Sequence, residues 1–71
     1  MNLNNYFVIA DTNKKSSIIM RKVLKLIKPV LLSDSNIIIV IGGDGFMLQI
    51  LKKYHKYKKF FYGINSGDYG F

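Results

Sequence analysis

The sequence predicts an α/β fold with a mainly parallel sheet, and three observations carry that prediction. An unbroken β-branched run, Ile37-Ile38-Ile39-Val40-Ile41, has the character of a strand buried on both faces. It ends in Gly42-Gly43-Asp44-Gly45, and helical spacing of apolar residues (Phe46, Met47, Ile50, Leu51 and Tyr54) begins directly after it. The same alternation of strand-like and helix-like stretches runs through the rest of the chain.

Taken in order, Tyr6 to Ala10 reads as the first strand and Asp11-Thr12-Asn13 as a polar turn. A helix follows from Ser16 or Ser17, either of which can serve as its N-cap. It runs to about Lys28, with Ile19, Val23, Leu26 and Ile27 on an apolar stripe, and Pro29 stops it. Val30-Leu31-Leu32 is a short strand or an extended segment, and residues 33–36 form a turn. The strand at 37–41 leads into a helix from about residue 45 to Tyr54. His55 to Lys59 is a basic loop, Phe60 to Ile64 a further strand, and Asn65 to Phe71 a glycine-spaced loop.

At 71 residues the chain suffices for one small domain. A domain of this size buries only about 60% of its unfolded surface, so its stability is marginal. There is no cysteine for a disulfide or a thiolate zinc site, and the single histidine, His55, cannot build a metal cluster alone. The N-terminus lacks a basic start followed by an apolar core, and no apolar run approaches the ~20 residues of a membrane span. These features predict a soluble chain that fits a reducing cytoplasm. The last strand enters its loop and the sequence stops at Phe71, which suggests the first piece of a larger protein.

The formal net charge of +7 invites a nucleic-acid reading. Its origin argues otherwise. All four acidic residues are aspartates, lysine, isoleucine and asparagine dominate, and the basic residues fall in two segments, 14–28 and 52–59. Such a composition suits an AT-rich coding sequence and solvated helix faces. It also suits attraction of polyanionic nucleotides. Tyr57, Phe60 and Phe61 interleave with lysines as a single-strand-binding surface would, but their place at a strand start favours core packing. His55 reads as a solvated helix-end residue, Asp11 as a cap or lining of the first turn, and Asp68 as a turn residue.

Chemistry concentrates at the glycine turn. Glycine allows positive φ and close backbone approach to a ligand, and the helix that follows offers free N–H groups to anions. An aspartate is a poor choice for a turn that only holds phosphate. Asp44 fits a base, a metal-linked carboxylate or a hydroxyl acceptor. The Walker pattern is excluded because Phe46-Met47 follows Gly45 where Lys-Ser/Thr is required. The dinucleotide fingerprint fails at its third glycine. Gly-Gly-Asp-Gly taken alone could be a tight structural turn or a ligand site. Two features favour the site: Asp44 lies at the C-terminal end of a parallel strand, and a second glycine loop, residues 63–71, leaves the next strand at the same end.

Gly42-Gly43-Asp44-Gly45-Phe46-Met47-Leu48-Gln49, followed by Tyr62-Gly63-Ile64-Asn65-Ser66-Gly67-Asp68-Tyr69-Gly70-Phe71, resembles the N-terminal part of NAD kinases, in an alphaproteobacterial version. Phe46 departs from the Thr or Asn common elsewhere in that family. Gly-Gly-Asp-Gly alone is shared with diacylglycerol and sphingosine kinases and, loosely, with phosphofructokinases; the second loop separates NAD kinases from these. The resemblance implies an incomplete Rossmann-like, three-layer parallel sheet spanning residues 1–71, with the family's Asn-Glu motif and C-terminal all-β domain absent. It implies phosphorylation of the adenosine 2′-hydroxyl of NAD by ATP or polyphosphate with a divalent metal, magnesium in kind, and a cytoplasmic homo-oligomer in the intact enzyme. Asp44 would be the catalytic base, with Gly43, Asp44, Gly45 and Phe71 contacting NAD and Asn65 fixing its own loop. No metal ligand is assigned, and neither nucleic acid nor membrane is an expected partner.

Overall fold

A computed structural model describes residues 4–67. Strand β1 (Tyr6–Ala10) is followed by helix α1 (Lys14–Leu26), strand β2 (Ile37–Gly42), helix α2 (Asp44–Tyr54) and strand β3 (Phe60–Asn65). Short 3-10 turns at Leu32–Asp34 and His55–Tyr57 lead into β2 and out of α2. The strands form one parallel sheet in the order β1-β2-β3. The α/β class and the parallel sheet are therefore as the sequence predicts.

Register explains how the two helices divide the core. Val8 lies opposite Ile39 and Ala10 opposite Ile41, while Phe7 and Ile9 lie opposite Ile38 and Val40. Side chains alternate between faces along a strand. Val8, Ile39 and Ile41 consequently pack with Ile19, Met20 and Val23 of α1 and with Ile27 just after it. On the other face Ile38 and Val40 pack with Phe46, Met47, Ile50 and Tyr54 of α2. Phe7 meets the Tyr54 ring edge-on there, with 6.4 Å between centroids. Helix, sheet and helix make three layers, and β2 is buried on both sides because it has a strand on each flank and a helix on each face.

This arrangement has a topological consequence. Three parallel strands in chain order, joined by two crossovers of one hand, would carry both helices on the same face. Here the helices lie on opposite faces, so the crossovers have opposite hands. One of them departs from the right-handed rule that about 98% of such connections follow.

Several boundaries differ from those read in the sequence. Helix α1 begins at Lys14, because Asn13 is the N-cap: its side chain accepts from the Ser16 N–H at 2.8 Å. Neither Ser16 nor Ser17 caps it. The helix ends at Leu26, since Ile27 has already turned to extended backbone two residues before Pro29. Residues 30–32 form no strand; Val30 donates one backbone bond to the Tyr6 carbonyl, and the chain then coils at Leu32–Asp34. The basic loop at 55–59 holds a 3-10 turn closed by Lys58 at φ 54°.

Core packing holds for Phe61 but fails for its neighbours. Phe61 packs on the α2 face, whereas Phe60 is 76% exposed and Tyr57 is also exposed. Strand β3 is an edge strand, and α1 covers only β1 and β2 on that side. An apolar cleft of about 420 Å³ results, lined by Leu26, Phe60 and Tyr62 among others. It opens near the N-terminal ends of the strands, away from the glycine turn.

Candidate active site

The C-terminal edge of the sheet gathers the loops that carry the polar residues. Loop β1–α1 is tied to β2 by the Asp11 N–H, which donates to the Ile41 carbonyl at 2.8 Å. Loop β3 is tied to it by the Ser66 N–H, which donates to the Gly42 carbonyl at 3.0 Å. The glycine turn thus sits between two loops whose backbones are pinned to it.

Asp44 is the first residue of α2, with Gly43 as N-cap. A carboxylate there is favoured by the helix dipole, which is sufficient reason for an acidic residue but not for its partner. Asn65 lies opposite Gly42 in the parallel register. Its Nδ2 donates to Asp44 Oδ1 at 3.1 Å, while its own Oδ1 accepts from the Gly67 N–H at 2.6 Å. One amide therefore holds both its loop and the Asp44 carboxylate. Loop fixing follows the sequence expectation; the bond to Asp44 was not foreseen. Both side chains remain exposed to solvent.

The three glycines of the turn differ in what the fold asks of them. A Cβ on Gly42 would lie 2.5 Å from Phe46 Cδ2 and 2.9 Å from Cγ, so this position has no room for a side chain. Around Gly43 and Gly45 nothing lies within 4 Å of an added Cβ. None of the described glycines has positive φ. Positive φ is therefore not why this turn is glycine-rich, contrary to one motive read from the sequence. Gly42 is required by packing, whereas packing leaves room for a side chain at Gly43, the N-cap of α2, and at Gly45.

A crevice of about 580 Å³ opens beside the turn. Its cause is the topology: the chain leaves β1 towards one face and β2 towards the other, so their C-terminal loops diverge. Open α/β sheets place ligands in such crevices. Asp11, Asn13, Lys14 and Lys15 form one wall, Gly43, Gly45 and Phe46 the other, and Ser66 and Gly67 complete the lining. Below them Ser16 and Ser66 share a buried hydroxyl–hydroxyl bond of 2.6 Å that joins α1 to the β3 loop. Asp44 is not part of this lining.

Asp11 lines the first turn as expected, and its carboxylate accepts from the Thr12 N–H at 2.7 Å. His55 is exposed at the end of α2, far along the chain's other edge. Phe71 and Asp68, two further residues read from the sequence, lie outside the described residues. The sequence gives Ser66 no role and reads Lys14 and Lys15 only as part of the basic segment 14–28; the pairing of residue 66 with the glycine turn becomes readable once the sheet register is known. Among the described residues no group of three or more His, Asp or Glu side chains is placed to hold a metal.

Fold and site together define a class: an α/β domain with a carboxylate-bearing glycine turn at the ligand edge of a parallel sheet. Comparison of the sequence narrows it. The chain is 37% identical over all 71 residues to the NAD kinases of Rickettsia peacockii and Rickettsia typhi, and 35% identical to that of Rickettsia prowazekii. Over its whole length the chain is similar to the N-terminal part of these NAD kinases. The chain spans 28% of the length of these curated relatives. No family model matches it, and no solved structure does so.

Proposed function

We propose that this chain carries the acceptor-activating part of an NAD kinase site, with Asp44 as the base. The carboxylate takes the proton from the adenosine 2′-hydroxyl of NAD as the 2′-oxygen attacks the terminal phosphorus of the donor. The bond between that phosphorus and its leaving oxygen breaks, giving NADP and, from ATP, ADP. Asn65 keeps the carboxylate in place through its amide. Gly43 and Gly45 let the backbone reach the nucleotide, and Phe71 joins them in binding NAD.

One observation supports this reading above the others. Gly43 and Gly45 flank Asp44, yet the fold has space for side chains at both. Glycine inside the first turn of a helix weakens it, and Gly45 stands there, whereas Gly43 is the N-cap, a position that accepts glycine. A requirement external to the fold, the close approach of a ligand, accounts for Gly45.

The donor is ATP or polyphosphate, carried with a divalent cation. Magnesium is commonly held by one or two carboxylates together with substrate phosphates. Asp11, in the crevice lining, would supply one such carboxylate, with the donor's phosphates as the other ligands. When bound, the cation offsets phosphate charge. In this reading the working protein is a cytoplasmic homo-oligomer with NAD and ATP as its partners, and neither nucleic acid nor membrane takes part. Among the described residues no helix is long and apolar enough to cross a membrane.

The test is a chimera in which residues 1–71 replace the matching segment of the Rickettsia typhi NAD kinase. It is expected to form NADP from NAD and ATP, and Asp44→Asn is expected to reduce turnover by ~10²–10⁴-fold without a change in melting. Near-normal turnover by Asp44→Asn would remove the base assignment. Residues 1–71 alone are expected to form no NADP, because a base without a held substrate loses the contribution of positioning.

A further inference from the structure

We infer that Ser16 and Ser66 are positioning residues for Asp44: their buried hydroxyl pair locks the loop after β3, so that Asn65 presents its amide to the Asp44 carboxylate. The inference rests on the base reading for its effect on turnover, but not for the coupling itself.

Asp44 and Asn65 are both exposed, and the amide–carboxylate bond between them measures 3.1 Å. Such a bond aims the carboxylate only as well as the amide is itself held. Asn65 is the last residue of β3, an edge strand that α1 does not cover. Its place is therefore decided by the residue that follows. Ser66 is tied twice: its N–H donates to the Gly42 carbonyl at 3.0 Å, and its hydroxyl pairs with that of Ser16 at 2.6 Å. The first tie extends the β2–β3 ladder. The second reaches across to α1, 50 residues away in the chain.

Ser16 is held equally well on its own side. It stands in the first turn of α1 with no exposed surface, and its N–H donates to the Asn13 side chain at 2.8 Å. Its hydroxyl is thus a fixed point from which to hold Ser66, which is itself buried. Two apolar side chains of matching shape would serve stability at this joint about as well. An apolar contact is non-directional, however, whereas a hydrogen bond sets both distance and angle. The hydroxyl pair accordingly does more for the position of the loop than for the stability of the fold.

That position is passed on to Asp44. The Asn65 Oδ1 accepts from the Gly67 N–H at 2.6 Å, on the far side of Ser66. Residues 65–67 therefore shift as one piece, and a displacement at Ser66 moves the amide that faces the carboxylate. A base must reach the proton it removes, and misplacement by ~1 Å can lower a rate by ~10²-fold.

The experiment has two arms. In the 71-residue chain, isotope-labelled, NMR at neutral pH follows the Asp44 carboxyl carbon and the Asn65 side-chain amide. Ser16→Ala/Ser66→Ala removes both hydroxyls, leaves neither unpaired, and is expected to move both signals. Ser35→Ala is the control. It too removes a buried hydroxyl, one that donates to the Leu32 carbonyl at 2.8 Å by the opposite edge of the sheet, and it is expected to move neither signal. In the chimera the double alanine change is expected to lower kcat by ~10-fold to 10²-fold with KM for NAD within about twofold, and Ser35→Ala to leave both unchanged. Added to Asp44→Asn, the double alanine change is expected to cause no further loss, because its effect passes through the base. Ser66→Cys, which offers a weaker donor of similar shape, carries the same expectations where the alanine pair does not fold. Unmoved Asp44 and Asn65 signals, or equal movement in Ser35→Ala, would overturn the coupling. The same loss of turnover on the Asp44→Asn background would overturn the positioning role, since a merely structural joint affects both backgrounds alike. If the signals move as described while Asp44→Asn turns over normally, the base reading falls and the coupling stands.

Discussion

Replacing Gly45 with alanine should stabilise the chain and impair its site at the same time. Gly45 is the second residue of α2, its φ is not positive, and no atom lies within 4 Å of the Cβ that alanine would add. Gly→Ala at a position the new residue can adopt without strain gains about 0.4–1 kcal/mol, mainly by narrowing the unfolded ensemble. For a domain of 60–100 residues, 1 kcal/mol corresponds to a shift of about 4–8 °C in Tm. Gly45→Ala should therefore raise Tm by roughly 2–8 °C. In the chimera the same change should raise KM for NAD, since the methyl group stands where backbone is to meet ligand. Gly42→Ala is the internal control. Its Cβ would meet the Phe46 ring at 2.5 Å, and overpacking of this kind destabilises by about 1–3 kcal/mol. Circular dichroism melts of the three chains, with NADP formation by the chimeras, decide the matter. A fall in Tm for Gly45→Ala, or an unchanged KM beside a raised Tm, would refute the claim that this glycine serves a ligand and not the fold.

Other substitutions probe separate parts of the structure. Ser16→Ala should cost about 1–3 kcal/mol by leaving the buried Ser66 hydroxyl unpaired, and Ser16→Ala/Ser66→Ala should cost less than the two single changes summed; urea unfolding of the four chains measures this. Asn65→Asp sets a second carboxylate beside Asp44 in place of an amide donor. Loss of the amide donor and the facing like charge should lower Tm at neutral pH, as read by circular dichroism. Ile41→Ala removes a side chain with no exposed surface from the α1 face of β2. A loss of about 2–5 kcal/mol is expected to leave so small a domain without a cooperative melt.

Much of this fold is legible in the sequence because its strongest signals are local. The β-branched run at 37–41 marks β2, the 3–4 spacing after Gly45 marks α2, and both arise from periodicities that a strand or helix imposes on its own residues. The start of α1 was misread for an equally local reason: Asn13, Ser16 and Ser17 are all competent caps, and only the path of the turn after β1 selects Asn13. The helices' opposite faces were not legible, since hydrophobic pattern says which side of a helix is buried but not which side of the sheet receives it. The site divides in the same way. Asp44 and its glycines announce themselves within four residues. Asn65, Ser66, Lys14 and Lys15 join them only through the parallel register and the divergence of the two loops, which no single segment encodes.

The absence of any hairpin from the sheet also sets the order in which this chain can fold. Tyr6 pairs with Ile37, and Ile37 with Phe60. At the usual 5–20 residues per second of synthesis, β1 waits roughly 2–6 s for its partner to be made. Helix α1 can begin to coil in that interval, but its apolar stripe has only a lone strand to cover it. Once β2 arrives it must receive β1 on one flank and a helix on each face before β3 exists to shield the other flank. Assembly is therefore sequential towards a single late event, and the nascent chain is most exposed to misassociation when β2 has been made and β3 has not.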